Sequence, residues 1–216
     1  MPTPIIRWEH AATILAVILS ACGPATRGPA TARPAGGTAP DPPFEVLGFD
    51  PRALPAGVTF PGQLVAGARW RDARGDNVLV LSRKSVDDTP GHPTSVWLWA
   101  RHFTGARLVR EVADRSEGCP EDNITRFREG ALAITDLDHD GLGEATFAYT
   151  VGCVSDVSPV PLKLVLLEDG AKWILRGRTR VLGSGGEHTA EPPRAQWPPV
   201  LYHHAASRWR ALLAPE

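Results

Sequence analysis

Leu162-Lys163-Leu164-Val165-Leu166-Leu167-Glu168-Asp169-Gly170-Ala171-Lys172-Trp173-Ile174-Leu175-Arg176 decides the fold class. Two apolar runs, each the length of one strand, flank a short polar segment containing Asp169-Gly170. Asp-Gly supplies the two positive φ angles of the tightest hairpin turn, so the stretch predicts a β-hairpin. The same pattern spreads outward. Val78-Leu79-Val80-Leu81 is a continuous apolar run of the buried-strand kind. Ser95–Phe103 alternates, with Trp97, Trp99 and Phe103 on one face, and stops at Thr104-Gly105 before Arg107–Ala113 resumes as its partner. Ala131–Thr135 and Ala145–Val151 flank an acidic loop, and Gly183–Pro199 is expected to be a loop. Helical spacing is convincing only over His203–Leu213. The expectation is a mainly β chain of antiparallel sheets, sandwich- or partial-propeller-like, with one or two peripheral helices.

The chain has 216 residues, 43% of them hydrophobic and 22% charged, with a net charge of −1. That composition suits one globular domain, and so balanced a charge gives no field that would attract nucleic acid. No apolar run reaches the roughly 18–20 residues that would span a bilayer.

The first residues read as an address. Arg7 is the basic start, Ala11–Leu19 a short apolar stretch, and Leu19-Ser20-Ala21-Cys22 its end. Leu-Ser-Ala-Cys resembles the bacterial lipobox, which implies a signal peptide over 1–21 and acylation of Cys22. An ordinary signal peptide is the alternative. Gly23 stands where an inner-membrane retention Asp would sit, so the resemblance implies a lipid-anchored envelope protein of the outer membrane. Residues 22–43 include six Pro, five Ala and four Gly. Such a segment lacks the apolar surface to fold and is expected to be a disordered tether. Residues 44–216 then form a single β-rich domain.

Asp136-Leu137-Asp138-His139-Asp140-Gly141-Leu142-Gly143-Glu144 is the most specific local feature. Carboxylates at positions one, three and five converge when a chain wraps a cation, and Gly141 permits the turn at six. The Leu142 carbonyl at seven and Glu144 at nine complete a candidate set of Asp136, Asp138, Asp140, Leu142 and Glu144. Oxygen ligands alone favour calcium before magnesium. The other reading is an Asp-rich turn capped by its own side chains. Phe147 replaces the bidentate Glu that an EF-hand needs at twelve. The strand-flanked DxDxDGxxE is similar to the calcium loop of integrin-type FG-GAP repeats, although one copy cannot make a propeller.

A wider resemblance runs from Ile134 to Glu144, through Tyr149, Cys153 and Ser155-Asp156-Val157-Ser158-Pro159, to Leu162-Lys163-Leu164 and Lys172–Gly177. It is similar to a poorly characterised family of bacterial exported proteins carrying a surface-polysaccharide-biosynthesis label. The resemblance implies an envelope role and assigns no catalytic residue.

With Cys22 acylated, Cys119 and Cys153 remain, an even number in an oxidising compartment. They form a disulfide or two free buried thiols. A bridge would enclose the whole acidic loop. Six Trp follow the leader, and core packing is their commoner use, stacking on sugar rings the rarer one. Catalytic patterns are thin. Gly183-Ser184-Gly185 lacks the glycine two positions before Ser that a nucleophile elbow needs. Ser82 and Lys84 read as solvent-facing strand positions, and His203-His204 diverge on a helix. Glu117, Glu121, Asp122 and Asp156 are the carboxylates from which an acid/base pair could be drawn. The expected function is therefore a non-catalytic envelope protein that binds a glycan or protein linked to surface polysaccharide. A carboxylate-dependent enzyme acting on envelope polysaccharide is the alternative.

Overall fold

A computed structural model describes residues 44–213; Cys22, with the leader and tether, lies outside the described residues. In chain order, β1 (Glu45–Leu47), β2 (Gln63–Asp72), β3 (Gly75–Thr89), β4 (His92–Thr104) and β5 (Arg107–Ser116) form one antiparallel sheet in sequential order. The chain then runs through β6 (Asp122–Asn123), β7 (Arg126–Phe127), β8 (Ala133–Thr135), β9 (Glu144–Thr150) and β10 (Cys153–Val154). It continues with β11 (Pro161–Glu168), β12 (Ala171–Arg178), β13 (Arg180–Val181), β14 (Ser184–Gly185) and β15 (His188–Glu191). The second sheet has the order β15-β12-β11-β9-β7, with β8 also on β9. Two small pairs, β6–β10 and β13–β14, are separate from both sheets. A 14-residue helix, α1 (Pro199–Leu212), follows.

The hairpin at Asp169-Gly170 forms as its sequence predicts. Glu168 pairs with Ala171, and φ is 40° at Asp169 and 80° at Gly170, the two positive angles that match the strand twist.

The two sheets pack face to face. Trp70, Leu79, Leu81 and Leu98 of the first meet Phe147, Val165, Leu167 and Ile174 of the second in one buried cluster. Each sheet is covered on its outer side as well. Leu162, Leu164, Leu166 and Leu175 are sealed by Leu201, Ala205 and Trp209, which recur every four residues on α1, and by Trp197. Val78, Val80 and Phe103 are covered by Phe49, Leu54, Val58 and Phe60 from the segment before β2. Burial on both faces is why Val78–Leu81 and Leu164–Leu167 are continuously apolar instead of alternating. The architecture is a sandwich with antiparallel sheets and, among the described residues, a single α-helix.

Three expectations change. Gly183–Pro199 is not simply a loop: β15 adds to β12, and a 3-10 turn spans Arg194–Gln196. A Cβ on Gly177 would lie 1.8 Å from the Glu187 carbonyl, so glycine there allows the chain to enter this edge strand. The helix begins four residues early, at Pro199, where a missing N–H costs nothing at a helix start. The Trp97/Trp99/Phe103 face points away from the inter-sheet core, which takes Val96, Leu98 and Ala100 from the same strand. Phe103 is buried under the covering segment, whereas Trp97 and Trp99 stay half-buried.

Candidate metal centre

The acidic loop is closed at its base by sheet pairing, Thr135 opposite Glu144 in the β8–β9 ladder. Its first half is folded back by Glu144, which is fully buried. The Leu137 N–H donates to both Glu144 carboxylate oxygens at 3.0 Å, and the Thr135 hydroxyl donates to Oε2 at 3.0 Å. The second half turns through positive φ at His139 (60°) and Gly141 (81°), and the Leu142 N–H caps Asp140 Oδ1 at 2.8 Å.

The β2–β3 turn then pins the loop from the other sheet. Ala73 N–H donates to the Gly141 carbonyl at 2.9 Å. Asp72 Oδ2 accepts from Gly143 N–H at 3.1 Å and from the Trp70 indole at 2.8 Å. Any Cβ at Gly143 would come within 2.3 Å of the Trp70 ring nitrogen, so the loop needs glycine there to lie this close.

Carboxylate oxygens converge in two overlapping groups, each within 4.8 Å: Asp136, Asp138 and Glu144, and Asp138, Asp140 and Glu168. Asp138 belongs to both. Leu142 is half-buried and held by its own N–H on Asp140. Glu168 is the member that sequence spacing misses. The β9–β11 ladder ends at Ala145 opposite Leu167, so Glu144 and Glu168 are the next neighbours across two strands. Like charges so placed repel unless something neutralises them.

The electrostatics record that strain. Burial, reinforced by Asp138, Asp140, Glu144 and Asp169, pushes the Glu168 carboxyl up to about 7. Burial also raises Glu144, against the opposing hydrogen bonds from Leu137 and Thr135. Asp136 Oδ1 and Glu168 Oε1 are buried oxygens without a hydrogen-bond partner. The neighbouring cation, Arg74, is committed to Asp169 at 2.7 Å. Oxygen-only donors, clustered charge and two orphaned acceptors are a composition that a hard cation satisfies.

Cys119 and Cys153 form a disulfide, with Cα atoms 5.5 Å apart. It adjoins the β6–β10 pair and encloses the acidic loop within its 34-residue span.

The remaining candidates scatter. Ser82 is fully buried rather than solvent-facing, on the strand face it shares with the buried Val78 and Val80, while Lys84 is exposed and lies 5.5 Å over the Trp97 ring. His204 sits 3.3 Å from the Thr146 hydroxyl under the helix, and His203 is exposed, so the two diverge. His102 is buried on Trp70 and bonded to Asn77, and burial pushes it down to about 4. Glu117 pairs with Arg115 at 2.8 Å. Glu121 and Asp122 line a small groove beside Cys119, and Asp156 lines a larger groove that also takes in Val154 of β10.

No family model, no curated protein and no solved structure matches the chain.

Proposed function

We propose that this chain is an envelope-anchored bacterial lipoprotein, acylated at Cys22, whose β domain carries a calcium loop. Its role in this reading is non-catalytic binding or assembly linked to surface polysaccharide. Two overlapping groups, Asp136, Asp138 and Glu144 with Asp138, Asp140 and Glu168, carry the calcium part. Two of these carboxylates hold buried oxygens that nothing else satisfies. Glu168 also repairs the weakness of the sequence motif. An EF-hand takes its bidentate carboxylate from the twelfth loop position; here a neighbouring strand supplies a carboxylate instead. Calcium tolerates six to eight oxygens in flexible geometry, which suits carboxylates drawn from a loop and a neighbouring strand better than the strict octahedron of magnesium.

A binding role draws support from the outward Trp97 and Trp99. They stand two residues apart on β4, beside Ala113 and Arg115, as an aromatic ledge of the kind that stacks on sugar rings.

Thermal unfolding of the chelated chain, with and without calcium, tests the centre. A cation that binds only the folded state adds about 2.7 kcal/mol at a hundredfold excess over Kd. Asp138→Ala, which removes the carboxylate common to both groups, should abolish the increment. A calcium-independent Tm together with silent calorimetry up to millimolar calcium would leave only an acidic turn.

A further inference from the structure

The groove beside the β13–β14 hairpin has no part in the acidic centre and encloses about 690 Å³. Its walls are the β7 segment, the segment after β10, the β13–β14 hairpin and the end of α1. Three arginines line it, Arg126, Arg128 and Arg180, against Asp156 as the single carboxylate among the described residues. Arg126 and Arg180 are exposed, and among the described residues neither has a carboxylate partner.

Two apolar side chains stand at its rim. Leu182 is 96% exposed and Val157 79%, the two most exposed large hydrophobic side chains of the described domain. Leu182 also violates the rule of its turn. The two-residue hairpin closes Val181 on Ser184, and Leu182 adopts φ 47° at a position that favours Asn or Gly. A bulky side chain held in an unfavourable backbone region and turned to solvent gains nothing for the fold.

The walls are nonetheless firm. Arg178 donates to the Pro159 carbonyl at 2.6 and 3.1 Å, and a Cβ on Gly185 would meet Pro159 Cβ at 2.9 Å. A rigid rim with two projecting apolar tips and, in the same groove, Arg126 and Arg180 without carboxylate partners matches an interfacial layer: anionic head groups outside, acyl carbons just beneath.

We propose that this end of the domain docks on an anionic phospholipid bilayer, with Arg126 and Arg180 on head-group phosphates and Leu182 and Val157 in the interface. The contact is made by the folded domain itself and does not depend on acylation or on the calcium reading.

Vesicle co-sedimentation tests it, using the chain from residue 22 onward with Cys22→Ser so that no acyl group contributes. Vesicles of 30% phosphatidylglycerol in phosphatidylcholine should bind it, pure phosphatidylcholine should not, and added salt should weaken the binding. Each arginine near such a surface contributes about fivefold, so Arg126→Gln with Arg180→Gln should weaken binding about 25-fold. Leu182→Asn suits the turn, so its Tm should equal or exceed that of the parent while vesicle binding falls. Equal binding to both vesicle types, or an unchanged Leu182→Asn, would overturn the proposal. So would saturable binding of monomeric dihexanoyl phosphatidylglycerol without vesicle binding, because the groove would then take a single molecule and not a surface.

Discussion

Replacing Glu168 by Gln should stabilise the cation-free protein while weakening its response to calcium. The folded carboxyl stands at about 7 against an ordinary 4.5. The folded state therefore holds a proton that the unfolded chain has released between those values. Stability is lost as pH rises from about 4.5 through about 7, and the loss is complete above that. Each tenfold in the proton equilibrium is worth about 1.4 kcal/mol, which sets a ceiling of about 3 kcal/mol. Glu168 keeps some contact with water, so solvent screening reduces this to about 2 kcal/mol. Gln carries no charge to bury, and in chelator at pH 8 the variant should be more stable by that amount. For a domain of this size the gain corresponds to about 4–8 °C in Tm. At pH 4.5 the two proteins should coincide, since Glu168 is then protonated in the native state. Calcium should reverse the order, because the parent gains its full increment and the variant has lost a ligand. Urea denaturation at pH 4.5 and 8, in chelator and in calcium, reads all four values. A variant no more stable than the parent at pH 8 in chelator, or one with an equal calcium increment, refutes the assignment of Glu168 to the centre.

The Cys119–Cys153 bridge closes a loop of 34 residues, so Cys119→Ser with Cys153→Ser should cost about 3–4 kcal/mol, read as a lower denaturation midpoint in the unreduced protein. A midpoint unchanged within about 0.5 kcal/mol would mean that the bridge constrains nothing. Acylation at Cys22 should appear as a diacyl- or triacyl-cysteine at the mature N-terminus in mass spectra of detergent-extracted protein. Any other mature N-terminus ends the lipoprotein reading.

Legibility followed the chemistry of each segment. The Leu162–Arg176 hairpin was readable because two requirements coincide there: apolar runs of strand length and a turn dipeptide that accepts positive φ. The acidic loop was readable for the same reason, with Gly141 at the bend. The strand β2, by contrast, has no clear period. Gly67 interrupts it because the Phe49 ring lies over that position, where a Cβ would sit 2.1 Å away. A register shift between Leu64 and Ala66 breaks the alternation again. Nothing in His188-Thr189-Ala190-Glu191 marks β15 as a strand; its partner β12 imposes the pairing. Glu168 follows a wholly apolar run and precedes Asp-Gly, which read as an ordinary polar exit from a strand. Only the β9–β11 register reveals that it faces Glu144, and register is a tertiary fact.

The position of the cluster explains why a charge arrangement this unfavourable would be kept. The acidic loop belongs to the second sheet, yet its Gly141 carbonyl and Gly143 N–H are held by the β2–β3 turn of the first. Glu168 comes from the end of β11, and the adjacent Asp169 reaches Arg74 in that same β2–β3 turn. Three chain segments, drawn from both sheets, therefore meet at one edge of the sandwich. Trp70 of the sheets' shared core lies directly beside the loop, against Gly143. Apolar packing cannot continue where the backbone turns, because the turn's N–H and carbonyl groups need polar partners. A cation held by Asp138 and its neighbours would tie the acidic loop to the end of β11, whose Asp169 in turn holds the β2–β3 turn through Arg74. On this view the repulsion around Glu168 is the mark of a joint whose closing element is an ion. Without the ion, opening should begin at this edge, in the residues between Thr135 and Glu144 and in the β2–β3 turn they lean on. Amide exchange in chelator should accordingly rise first at Ala73, Leu137, Leu142 and Gly143, the four N–H groups that hold the loop. Their protection should return with calcium, while the amides of β11 and β12 stay protected throughout. Uniform exchange across the loop and those two strands would instead mean that the edge is no weaker than the core, and that the carboxylates alone, without a cation, suffice to hold it.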